Sequence, residues 1–218
     1  YGRAASIDVP PSNMSALLGS RAEFYCGVTG QGGSESLLWR KLPSFFISQD
    51  DMSVNTSKYQ ITDNYRLHIL DLIPQDDGEY QCQIMADMFT AWLVVCDVPT
   101  SVEISWNEEN RDIGRYGNLT CTCPRSKPPA SLRWFKESEE ITDDAIPYEQ
   151  EQDSNGYGES ISYLAVTITE ENFDIPYRCQ ADVPAVENAI SDEFRFSYGV
   201  RLQIINSLLL GLVLFHFI

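Results

Sequence analysis

Asp76-Asp77-Gly78-Glu79-Tyr80-Gln81-Cys82 reads D-x-G-x-Y-x-C, and the rest of the chain is arranged around it. Cys26 lies upstream, and Trp39 follows it by thirteen residues. The pattern then recurs: Cys121, Trp134 thirteen residues on, and Tyr177 two before Cys179. The two copies are offset by about 96 residues, the mark of a domain duplication rather than of a solenoid. Pro176 stands in the second corner, so its shape is expected to differ while Tyr177 and Cys179 keep their register.

Length and composition agree with a duplication. A chain of 218 residues accommodates two domains of about 100 each. Hydrophobic residues make up 43% and charged residues 22%, enough apolar material for two packed cores. The net charge of −17 argues against nucleic acid and against adsorption to anionic lipid, because both need Lys and Arg. A solvated acidic surface accounts for it, and a basic partner is the narrower reading. Six cysteines, none in C-x-x-C, point to an oxidising compartment; Cys121-x-Cys123 lacks zinc-ligand spacing and has no nearby His. Sequons at Asn13, Asn55 and Asn118 support secretion and give three expected glycosylation sites. The first residue is Tyr1, as expected after removal of a signal peptide or in a fragment. Eight acidic residues and no Lys or Arg lie between Glu137 and Asp153; they read as a solvated edge rather than as a calcium loop.

The Cys, Trp, Tyr-x-Cys spacing is similar to that of immunoglobulin-type sandwiches, and both halves resemble immunoglobulin-superfamily modules from about residue 5 to 198. The run Lys127-Pro128-Pro129-Ala130-Ser131-Leu132-Arg133-Trp134 resembles the second domains of nectin-like and nephrin-like adhesion molecules. The resemblance implies an all-β chain: two tandem immunoglobulin-like antiparallel β-sandwiches plus a C-terminal hydrophobic tail. The expected domains are 1–97 (V/I-set-like), 98–198 (C2/I-set-like) and a tail, 199–218. It also implies disulfides Cys26–Cys82 and Cys121–Cys179, with Trp39 packed on the first bridge and Tyr80 turned back on its corner. Gly78 permits that corner, and Asp76 is expected to pair with Lys58. The span from Cys26 to Cys82 leaves little room for a C″ strand. Cys96 in the linker and Cys123 remain; a third bridge between them is expected, with unpaired or intermolecular thiols, or an exchange of Cys121 for Cys123, as alternatives.

The implied function is cell-surface recognition or adhesion without catalysis. No G-x-S-x-G, H-E-x-x-H or phosphate-binding loop occurs, no cofactor or metal site is expected, and His68 is expected to point outward from its strand. Period-two alternation then nominates a partner-binding face on strands C, F and G of the first domain. Leu38 and Arg40 point out if Leu37 and Trp39 point in; Gln81, Gln83 and Met85 point out if Cys82 and Ile84 point in; Trp92 and Val94 complete the face, with Phe45 or Phe46, Met88 and Phe89 extending it. The partner is a protein at the cell surface, homophilic or heterophilic. Leu208 to Ile218 is apolar apart from His216 but shorter than the roughly 20 residues a spanning helix needs. A lipid-anchor signal with attachment at Ser197 is expected, or else a truncated transmembrane helix, placing the protein on the extracellular side of the cell membrane. A soluble secreted binding or decoy protein is the alternative.

Overall fold

The structure, a computed structural model, describes residues 5–30, 35–147 and 152–197. The tail and the Ser197–Tyr198 junction therefore fall wholly or partly outside the described residues. The first half contributes eleven strands: β1 (Ser6–Val9), β2 (Met14–Leu17), β3 (Ala22–Phe24), β4 (Gly27–Thr29), β5 (Leu37–Lys41), β6 (Phe45–Gln49), β7 (Met52–Ser53), β8 (Tyr59–Thr62), β9 (Arg66–Ile69), β10 (Gly78–Ile84) and β11 (Asp87–Cys96). One sheet runs β2-β11-β10-β5-β6-β7, and β3-β9-β8 faces it. Pro10 and Pro11 remove two ladder donors and split the first strand. The piece before them, β1, pairs antiparallel with β4; the piece after, β2, pairs parallel with β11.

Alternation fills the space between the sheets. Phe24, Leu37, Trp39, Ile47, Leu67, Ile69, Tyr80, Ile84 and Leu93 are at most 1% exposed. Burying each such side chain contributes about 1.5–3 kcal/mol. Cys26 and Cys82 are bonded across this core, and Phe24 sits between the rings of Trp39 and Tyr80. The corner forms as expected: the Tyr80 hydroxyl donates to the Asp76 carbonyl at 2.7 Å. Lys58 Nζ reaches Asp76 Oδ2 at 2.5 Å and also donates to the carbonyls of Leu70 and Asp71. Gly78 has φ +139, and a Cβ there would meet the Lys41 side chain at 3.2 Å, so the corner calls for glycine.

The second half repeats the plan with eight strands: β12 (Glu103–Trp106), β13 (Tyr116–Ser126), β14 (Ser131–Lys136), β15 (Glu139–Glu140), β16 (Ala145–Pro147), β17 (Gly158–Thr167), β18 (Tyr177–Asp182) and β19 (Ile190–Phe194). Sheet β12-β13-β17-β16 packs on sheet β15-β14-β18-β19. Cys121–Cys179, Trp134 and Tyr177 occupy the positions of their counterparts. The second corner is built differently: Asn172 joins the Thr167 carbonyl and the backbone N–H of Thr169, while Asp174 takes a positive φ.

The little room left for a C″ strand holds only the two-residue β7. Two readings are corrected. His68 lies on the outward side of β9 opposite Glu23, yet is only 7% exposed. Its Nε2 pairs with Thr62 Oγ1 at 2.9 Å, and Glu23 Oε2 lies 3.6 Å from Nδ1, so neighbouring side chains cover the ring. The third disulfide is not formed: Cys96 and Cys123 are both buried free thiols. Register explains this. Asp97 pairs with Lys127, so Cys96 lies alongside Pro128, several residues past Cys123.

The two halves meet tightly. Asp97 and Lys127 exchange backbone hydrogen bonds of 2.8 and 2.9 Å. Lys127 Nζ crosses to Asp77 Oδ2 at 2.7 Å and also donates to the Asn155 carbonyl. The Tyr157 hydroxyl donates to Asp97 Oδ2. Val94 and Cys96, at the end of β11, pack into the second core rather than the first.

Candidate functional site

The outward face of β6, β5, β10 and β11 forms a grid whose rows follow from strand register. One row is Gln49, Leu38, Gln83, Met88; the next is Phe46, Arg40, Gln81, Thr90; the last is Glu79 and Trp92. Met88 is 56% exposed, Trp92 45% and Phe46 40%. These are large apolar groups exposed together on one sheet face and flanked by amides. Arg40 makes no ion pair among the described residues and is the one cation in the grid. Met85 stands at the tip of the β10–β11 hairpin, 58% exposed, with φ +50.

The structure thus gathers Leu38, Arg40, Phe46, Gln83, Met88 and Trp92 on one face, with Met85 at its rim. Three nominated residues lie elsewhere. Phe45 is opposite Lys41 and its ring lies 6.0 Å from that of Tyr59, on the inward side of the sheet. A bulge between Trp39 and Arg40 separates it from Phe46, so neighbours in sequence part company. Phe89 is opposite Cys82, also on the inward side, where the sandwich is open enough to leave it 40% exposed. Val94 has the outward parity but is covered by the second domain. Sequence reasoning missed Thr90 and Gln49. The alternation from Trp92 back to Met88, both on β11, places Thr90 between them on the same face.

At the edge of the face the Trp92 backbone N–H donates to Asn13 Oδ1 at 2.8 Å, so one expected sugar acceptor adjoins the strand that carries the exposed indole. At its base the Lys41 pKa is lowered, mainly by burial and in spite of Asp76 and Asp77. A cleft of about 500 Å³ between the domains is lined by Pro74, Gln75, Val94, Pro128 and others. Its two charged residues, Lys127 and Asp77, already pair with each other. Among the described residues no cluster of His, Cys, Asp or Glu suits a metal ion, and no helix is long and apolar enough to cross a membrane.

Comparison with known proteins agrees with this fold. The immunoglobulin domain model matches residues 6–85. A cell adhesion molecule 2 of Xenopus tropicalis is 30% identical over 156 residues, which is 66% of this chain and 34% of that protein. The chain spans about a third of the length of the curated relatives it matches. Among solved structures, Rst D1-D2 superposes with a TM-score of 0.64 at 20% identity, covering 88% of this chain and 98% of that one. The ectodomain of mouse nectin-like molecule 4 gives 0.63 at 18% identity, covering 85% and 66%. By its two sandwiches, by the immunoglobulin-domain match over residues 6–85 and by its homology to the cell adhesion molecules, this chain has the fold of tandem immunoglobulin-like domains and is similar to the adhesion molecules of that superfamily.

Proposed function

We propose that the protein is a cell-surface recognition or adhesion receptor that binds a protein partner through the outward face of β6, β5, β10 and β11. The observation that carries the reading is Trp92, Met88 and Phe46 exposed together around Arg40, which is unpaired among the described residues, on a single sheet face. Relatives that are cell adhesion molecules support the class of function. Apolar anchors supply contact area, and the amides of Gln49, Gln81 and Gln83 supply hydrogen bonds at its rim. A carboxylate on the partner would pair with Arg40, which has no ion pair among the described residues. Attachment to the membrane through residues 199–218, and a domain boundary near residues 97–98, belong to the same proposal.

Beads coated with the chain, and beads coated with the surface proteins of candidate partner cells, test it. Clustering of like beads identifies a second copy as the partner; capture across unlike beads identifies a different protein. Trp92→Arg or Met88→Arg is expected to abolish either while circular dichroism and melting stay unchanged. Binding that survives both substitutions in a folded protein places the site on another face.

A further inference from the structure

The outward face of the sheet β12-β13-β17-β16, in the second domain, has a composition unlike the rest of the molecule. Along β13 the outward residues are Tyr116, Asn118, Thr120 and Thr122; along β17 they are Ile161, Tyr163, Ala165 and Thr167. No charged side chain occurs from 116 to 122 or from 161 to 167, in a chain of net charge −17. Ile146 on β16 lies opposite Tyr163 and is 67% exposed; Tyr116 is 65% exposed. Glu103, opposite Thr122 on β12, and Glu159, two before Ile161 on β17, put charge at the margin of this face. Its uncharged, partly apolar centre on a strongly acidic protein calls for a cover.

Asn118 stands within this face. Its cross-strand partner is Ala165, and Thr120, the hydroxyl residue of the same sequon, is paired with Tyr163. Amide and hydroxyl therefore project side by side from one strand. Asn118 uses its backbone N–H and carbonyl to hold Asn107, leaving its side-chain amide without a hydrogen bond among the described residues. The other two sequon asparagines differ. Asn13 Oδ1 accepts from Trp92, and Asn55 Oδ1 accepts from the N–H and hydroxyl of Ser57. The Tyr163 hydroxyl is likewise without a partner among the described residues.

We infer that Asn118 carries an N-linked oligosaccharide whose first sugars lie on this face, against Tyr163, Ile161, Ile146 and Tyr116. The occupant is a carbohydrate rather than another protein because the acceptor sits inside the patch, so a sugar attached there is tethered over it at high local concentration. The chemistry matches: the C–H faces of a pyranose pack on tyrosine rings and isoleucine, while its hydroxyls meet Thr120 and Tyr163 without any charge being desolvated. Attachment precedes folding. Asn118 Nδ2 displaces the lipid diphosphate from C1 of a lipid-linked oligosaccharide; the C1–O bond breaks, the N–C1 bond forms, and the amide proton leaves with the lipid diphosphate.

The full chain, secreted from cultured eukaryotic cells, provides the test. Peptide mass mapping is expected to find sugar on Asn118. An endoglycosidase that leaves a single N-acetylglucosamine is then applied to the folded protein, and nitration of Tyr163 and Tyr116 by tetranitromethane is followed with hydrogen exchange in β16 and β17. Trimming is expected to speed nitration of both tyrosines severalfold and to raise exchange at the edge of the sheet. Thr120→Ser is expected to behave as the parent chain and Thr120→Ala as the trimmed one; should the alanine variant misfold, trimming of the folded parent still decides. A bare Asn118 overturns the inference, as does sugar whose removal leaves both tyrosines unchanged. Concentration-dependent protection of Tyr163 with Asn118 bare would assign the face to a second copy and overturn it equally.

Discussion

Single residues carry two measurable consequences. Cys96 and Cys123 lie in one core, 1% and 0% exposed, and burial pushes each thiol up to about 11. Both stay protonated at neutral pH, and thiolate is the reactive form. Ellman's reagent is expected to find no thiol in the native protein and two in guanidinium; none in guanidinium would mean that the pair is bridged after all. His68 titrates in the opposite sense. Burial lowers its pKa more than Glu23 raises it, so folding favours the neutral ring. Stability from that preference is present above the unfolded value near 6.5 and is lost as pH falls through the lower folded value. Melting temperature is therefore expected to drop between pH 7.5 and 5, and to drop less in His68→Gln.

At the scale of elements, the β10–β11 hairpin and the corner that precedes β10 invite substitution. Met85 holds φ +50 in a two-residue connection, where a side chain costs about 1–2 kcal/mol and glycine pays back part of that in unfolded-state entropy. Met85→Gly is expected to stabilise the first domain by about 0.5–1 kcal/mol in urea unfolding while weakening partner binding through loss of the apolar tip. Tyr80→Phe removes the hydroxyl from a buried carbonyl and should cost about 1–3 kcal/mol in the same assay. The corner was legible in the sequence because Asp76, Gly78, Tyr80 and Cys82 each have a local job at fixed spacing. Inward and outward parity was legible wherever strands are regular, as at Leu37 to Arg40 and Tyr80 to Ile84. It failed where a bulge shifts phase, separating Phe45 from Phe46, and at Phe89, which lies within β11 on the inward side opposite Cys82. Val94 and Cys96 escaped for another reason: what covers them comes from the second domain, and strand periodicity carries no information about a neighbouring domain.

For the whole molecule, the joint between domains decides whether the proposed recognition face has a fixed direction. Lys127 is nearly buried against Asp77, and removing one partner of such a pair leaves the other charge uncompensated, at a cost of about 3 kcal/mol. Lys127→Met is expected to split a shared melting transition into two and to broaden the distance distribution in small-angle scattering. An unchanged profile would mean that the backbone pairing of Asp97 with Lys127, together with Val94, holds the joint unaided. The strand that presents Met88 and Trp92 is also the strand that continues into the second domain. A partner that grips the face while the far end of the chain is pulled therefore tugs β11 along its own axis. Its rungs to β10 and to the parallel β2 then share the tension in shear instead of peeling apart one at a time, so mechanical strength is set by the same ten residues that offer the indole.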